Sequence, residues 1–154
     1  MSKIYAGIGA RITPREITEK MFKIAVELAD LGWTLRSGGA AGADSAFENG
    51  SAEAEIFRAN DCTEAAMEFA SRYHPAWAKC SPYARKLHGR NAMIILGENL
   101  DNPVRFVLCW TESGRDEGGT GLAMRIAWAH NIPVFNLKNK EDHARVVKLI
   151  QPNK

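Results

Sequence analysis

A doubly wound α/β fold, with a parallel sheet of about five strands and helices on both faces, is the class this sequence predicts, and three observations predict it. Short apolar runs alternate with longer segments in which apolar residues recur every three to four positions. Three strand-to-helix junctions are nearly bare of side chains: Gly7 to Arg11, Ser37 to Asp44, and Ser113 to Gly121. The run Arg105 to Trp110 is continuously apolar after its first residue, as a central parallel strand covered on both faces requires.

Taken in order, Lys3 to Ile8 is a first short strand that runs into Gly7-Ile8-Gly9-Ala10-Arg11. Thr13-Pro14-Arg15-Glu16 is a helix start, with a threonine cap, proline at the first helical position and glutamate where a capping box places it. Ile17, Met21, Ile24, Ala25, Leu28 and Leu31 carry that helix to Leu31, and Gly32 stops it. Trp33 to Arg36 is the second strand; a short helix from Ala43 follows the bare turn and ends at Asn49-Gly50. Ala54 to Arg58 has only two apolar residues between charges, which suits an edge strand. A helix from Thr63 stops at His74-Pro75, and Ser81-Pro82 starts another that ends in Met93-Ile94-Ile95-Leu96. After the strand Arg105 to Trp110, a helix spans Gly121 to His130, Pro133 to Asn136 is the last strand, and Asn139 caps a helix through Ile150.

The chain has 154 residues, 45% of them hydrophobic, enough for one domain with a real core. Its formal charge of +2 argues against coating nucleic acid by bulk electrostatics. No apolar run is long enough to span a bilayer and Met1 to Tyr5 has no signal-peptide character, so a cytoplasmic protein without membrane attachment is expected. Cys62, Cys80 and Cys109 form no C-x-x-C pair, and His74, His88, His130 and His143 have no metal-ligand spacing with them, so neither disulfide, metal nor cofactor is expected.

Function is carried by the bare turns. The first N–H groups of a helix lack intrahelical partners and carry partial positive charge, and a glycine turn lets a phosphate reach them. Such turns share the carboxyl edge of a parallel sheet and converge on one crevice. Ser37, Gly38, Gly39, Ala40, Gly42 and Asp44 form one candidate phosphate cradle, with Asp44 either capping its helix or holding a ribose hydroxyl. Gly118, Gly119, Thr120 and Gly121 form another, in which Thr120 either binds phosphate or caps. No lysine precedes Thr120, which excludes a P-loop, and no third glycine follows Gly7 and Gly9, which excludes the dinucleotide fingerprint.

Gly-Ile-Gly-Ala-Arg-x-Thr-Pro from Gly7, Gly-Trp-Thr-Leu-Arg-Ser-Gly-Gly-Ala-Ala-Gly-Ala-Asp-Ser-Ala-Phe-Glu from Gly32, Gly-Gly-Thr-Gly from Gly118 and Ile-Pro-Val-Phe-Asn from Ile132 together resemble the SLOG superfamily. The resemblance covers nearly the whole chain. It is to Rossmann-like domains that include DNA-processing protein A (DprA) and the Lonely guy nucleotide hydrolases, and above all to small DprA-like proteins of phages and prophages. It implies a nucleotide or nucleotide-derived ligand, self-association, and one of three activities: hydrolysis of a nucleoside 5′-monophosphate at its N-glycosidic bond, a non-catalytic sensor or sponge, or single-stranded DNA binding in recombination. The hydrolases place a catalytic glutamate after their glycine-threonine turn, where this chain has Leu122, Ala123 and Met124; Glu48, Glu112 and Glu117 are the available replacements. The hydrolase arginine would be Arg85 or Arg90. Gly9, Arg11, Arg90 and Asn91 complete the expected ligand site, and the basic helix from Ser81 would supply both a crevice wall and a dimer face.

Overall fold

The computed structural model describes residues 3–151. Five strands, β1 (Ile4–Gly7), β2 (Thr34–Ser37), β3 (Ala54–Ile56), β4 (Val107–Cys109) and β5 (Val134–Asn136), form one all-parallel sheet in the order β3-β2-β1-β4-β5. Register is tight in the centre, with Tyr5 beside Leu35 and Gly7 beside Leu108. The helices are α1 (Arg15–Asp30), α2 (Ala43–Gly50), α3 (Glu64–Ser71), α4 (Pro82–Leu96), α5 (Gly118–Ala129) and α6 (Lys140–Ile150).

Alternation along the strands sorts side chains onto two cores. Ile4, Ala6, Ile8, Val107 and Cys109 point to the face covered by α4 and α5, where they meet Ile94, Ile95, Leu122 and Ile126. Tyr5, Leu35, Phe106, Leu108 and Trp110 point to the other face, against Met21, Ile24 and Leu28 of α1, Phe47 of α2 and Val146 of α6. Trp110 is therefore a core residue whose edge reaches the crevice described below. β3 is an edge strand and mostly exposed, as its charges require.

Local details differ from the sequence reading. Thr13 is not the cap of α1: Pro14 holds that place, and the Thr13 hydroxyl turns back to the Ala10 carbonyl, so no capping box forms. α5 begins at Gly118 and not at Gly121, which puts the glycine-threonine segment in its first turn. Asn139 occupies the cap position of α6 but makes no side-chain capping bond there. Short 3-10 turns at Ala59–Asp61 and Trp77–Lys79 fill connections that the periodicity left blank. Among the described residues no helix is long and apolar enough to cross a membrane.

Candidate functional site

β1 and β4 are neighbours whose chains leave to opposite faces, β1 toward α1 and β4 toward α5. A gap must open between the two departing loops, and the structure has a crevice of about 410 Å³ there. Gly9 to Ile12 form one wall, Trp110 to Glu112 and the first turn of α5 form the second, and Leu87, His88, Arg90 and Asn91 of α4 close the third. A smaller hollow of about 230 Å³ shares Arg11, Ala40, Leu87 and Arg90 with it and adds Gly38, Gly39, Arg58, Asn60 and Tyr83.

The turn after β2 is internally satisfied. The Asp44 carboxylate is buried and accepts the Ala40 N–H at 3.4 Å, and the amides of Gly38 and Gly9 and the Arg90 guanidinium also favour its ionised form. Burial outweighs those partners and pushes its pKa up to about 6. Arg90 is spent in the same place: Nη1 donates to the carbonyls of Gly38 at 2.9 Å and Phe57 at 3.0 Å, and Nε donates to Asn91 Oδ1 at 2.9 Å. The cradle expected to grip a phosphate thus already holds an anion, the chain's own. Gly42 explains how Asp44 gets there, because its φ of 82° is open to glycine and it packs against the backbone of Ala10 and Arg11.

The α5 end is different. Gly118, Gly119 and Thr120 present first-turn N–H groups with no acceptor inside the helix, and all three residues line the crevice. Asn91 Nδ2 donates to the Gly119 carbonyl at 3.1 Å, which fixes this turn against α4. Glu117 closes the loop at the crevice edge: its Oε1 accepts the Ser113 N–H at 2.6 Å, and that amide and the Ser113 hydroxyl hold its carboxyl below the ordinary glutamate range. The loop's shape is set further back, where Asn136 donates to the Thr111 hydroxyl at 2.8 Å and that hydroxyl donates to the Arg115 carbonyl at 2.7 Å.

The crevice brings together Gly9, Arg11, Ala40, Asp44, Arg90, Asn91, Glu112, Glu117, Gly118, Gly119 and Thr120 from the sequence-derived set. Gly38 and Gly39 line only the adjoining hollow. Ser37 is fully buried with its hydroxyl on the Gly7 carbonyl, and the Gly121 N–H is bonded to the Glu117 carbonyl. Glu48 and Arg85 are off the lining; Arg85 instead stacks on Trp77 at 5.5 Å and donates to the Trp77 carbonyl. Leu87 and His88 join the lining from the stretch Tyr83 to Asn91 expected as a crevice wall, on the same face of α4 as Arg90 and Asn91, since Leu87 lies three and four positions before them; sequence reasoning missed Thr111. It also missed that folding gathers His74, Cys80 and His88, whose potential ligand atoms lie within 4.8 Å of one another despite their unremarkable spacing along the chain.

Against solved structures, the chain is similar to DNA processing protein A from Helicobacter pylori, reported for its unique single-stranded DNA binding mode, with a TM-score of 0.62 and 17% sequence identity over 99% of this chain and 75% of that one. At that identity the likeness establishes a DNA-processing-protein-A-like, Rossmann-like fold and no activity. No family model and no curated protein matches the chain.

Proposed function

We propose that this protein binds a nucleotide or nucleotide-derived anion in the crevice between β1 and β4. The observation that carries the reading is the convergence of the open first turn of α5 with Arg11, an exposed cation on the facing loop, across a cavity of nucleotide size. The phosphate belongs at Gly118 to Thr120, with the Thr120 hydroxyl as an added donor and Arg11 as counter-charge. The turn after β2 contributes shape instead, because Asp44 fills its amides.

Turnover of the N-glycosidic type needs a carboxylate beside the sugar to stabilise positive charge and orient water. Of the three glutamates considered, Glu112 fits best: it lines the crevice, whereas Glu48 does not and Glu117 is engaged by Ser113. Incubating the protein with a panel of nucleotides, then identifying both retained ligand and released base, separates a hydrolase from a sensor or sponge. Arg11→Ala and Thr120→Val are expected to weaken retention about 10-fold or more each, the scale of a lost charge-assisted contact. Glu112→Gln is expected to stop base release, where it occurs, and leave binding intact. Retention of no phosphate-bearing compound, or retention indifferent to both Arg11 and Thr120, sinks the reading.

A second reading is single-stranded DNA binding, favoured by the fold's likeness to DNA processing protein A and by Arg11 and Arg58 flanking the two joined hollows. It requires affinity that falls steeply with salt and survives Thr120→Val.

A further inference from the structure

Behind the crevice wall, three chain segments place metal-binding side chains in one spot. His74 follows α3, Cys80 follows the 3-10 turn Trp77–Lys79, and His88 sits in the middle of α4. Their potential ligand atoms all lie within 4.8 Å, and Cys80 Sγ is 3.6 Å from His74 Nε2. Tetrahedral zinc, with bonds of about 2.0–2.3 Å, holds its ligand atoms about 3.3–3.8 Å apart, so closing this group needs only a small inward movement. The two imidazoles stand 4.7 Å apart, and Trp77 flanks both, at 6.2 and 6.0 Å. His88 Nδ1 is buried with no hydrogen-bond partner among the described residues. Orphaned buried polar atoms are rare and call for a partner.

We propose that His74, Cys80 and His88 form a three-ligand site for a borderline-soft divalent cation of the zinc class, with the fourth position open to water or to an anionic group. Two imidazoles and a thiolate, with no carboxylate, select against magnesium and calcium. Because His88 also lines the crevice, the ion borders the ligand space. Two cations face the cluster: Arg85, stacked on Trp77, and Arg125, which is itself paired with Asp116 at 3.0 Å.

The protons balance as follows. In the metal-free chain the Ala76 N–H donates to His74 Nδ1 at 3.0 Å, so Nε2 carries the ring proton. Coordination through Nε2 moves that proton to Nδ1 and gives up the Ala76 bond, while Cys80 releases its thiol proton to solvent. This proposal stands whether or not a nucleotide binds.

The test uses the whole chain with cobalt(II) as a spectroscopic probe and zinc as competitor. One cobalt ion per chain is expected to produce a thiolate-to-metal charge-transfer band that zinc abolishes. That band is expected to vanish in Cys80→Ser, to need about 10-fold or more cobalt in His88→Ala, and to persist in Cys62→Ser. Zinc is also expected to shield Cys80 of the unmodified chain from alkylation and leave Cys62 reactive. This measurement holds even where a variant fails to fold. Absence of the band in the unmodified chain, a band surviving Cys80→Ser, or equal alkylation of Cys80 with and without zinc overturns the site.

Discussion

Asp44 decides more at this site than any glycine around it. Its side chain sits where a bare turn offers amides, and burial raises its pKa from 3.8 to about 6. A carboxyl that holds its proton more tightly in the fold stabilises the fold fully below 3.8 and loses that contribution as pH rises through about 6. His88 and His143 act in the opposite sense, because burial lowers their pKa values and their contribution is lost as pH falls below 6.5. The raw pH profile mixes these, so the clean measurement is the stability of the unmodified chain minus that of Asp44→Asn. That difference is expected to drop by roughly 2–3 kcal/mol between pH 4 and pH 7, one pKa unit being about 1.4 kcal/mol. A flat difference would mean that Asp44 ionises normally. The same residue shows the limit of sequence reading: a carboxylate two places into a helix is legible as a cap or ligand contact, but which amides it faces depends on Gly9, thirty-five positions earlier.

At the scale of elements, two buried arginines hold α4: Arg36 reaches its last turn at the Ile94 carbonyl, 3.5 Å away, and Arg90 its middle. Arg36 of β2 is 1% exposed and donates to the carbonyl of Asn102, beyond the end of α4, at 2.8 Å, with Glu55 as its counter-ion at 3.6 Å. Arg90 ties the middle of α4 to the turns after β2 and β3. Both use the forked geometry of guanidinium to satisfy several carbonyls that helix ends and turns leave open. Arg90→Met is therefore expected to cost about 1.5–3 kcal/mol in denaturant unfolding, the range for hydrogen bonds from a charged group, and Arg90→Lys is expected to recover only part of it. Unchanged stability would return Arg90 to the pool of free ligand-binding cations. Strand and helix identities were readable because alternation of two and recurrence of 3.6 survive any tertiary arrangement. The start of α5 was not, because glycine carries no periodic signal and the helix begins where Glu117 and Ser113 close the loop.

For the whole molecule, strand order fixes where a ligand can enter. With β1 and β4 adjacent and their helices on opposite faces, the departing loops that diverge over the sheet's centre, among the described residues, are those bearing Arg11 and Thr120. The proposed nucleotide would stabilise the folded state by mass action, about 2.7 kcal/mol at 100 times its dissociation constant. Amide hydrogen exchange with that ligand is expected to slow at Gly118 to Thr120 and at Ala10 to Ile12 and to change little at Gly9, Gly38 and Ala40, whose amides Asp44 already engages. Protection concentrated at Gly38 to Ala40 would move the phosphate back to the turn after β2.

Sequence alone determined the alternating strands and helices, the two-faced burial of the central strand, the edge character of β3 and the bare turns, because each follows from local periodicity or from the absence of side chains. Tertiary structure decided which turn stays open, which arginines are spent as internal clamps, and which histidines and cysteine meet. Those outcomes depend on groups brought together from distant parts of the chain, and a carboxylate or guanidinium reads the same along a sequence whether it faces solvent or an amide thirty residues away.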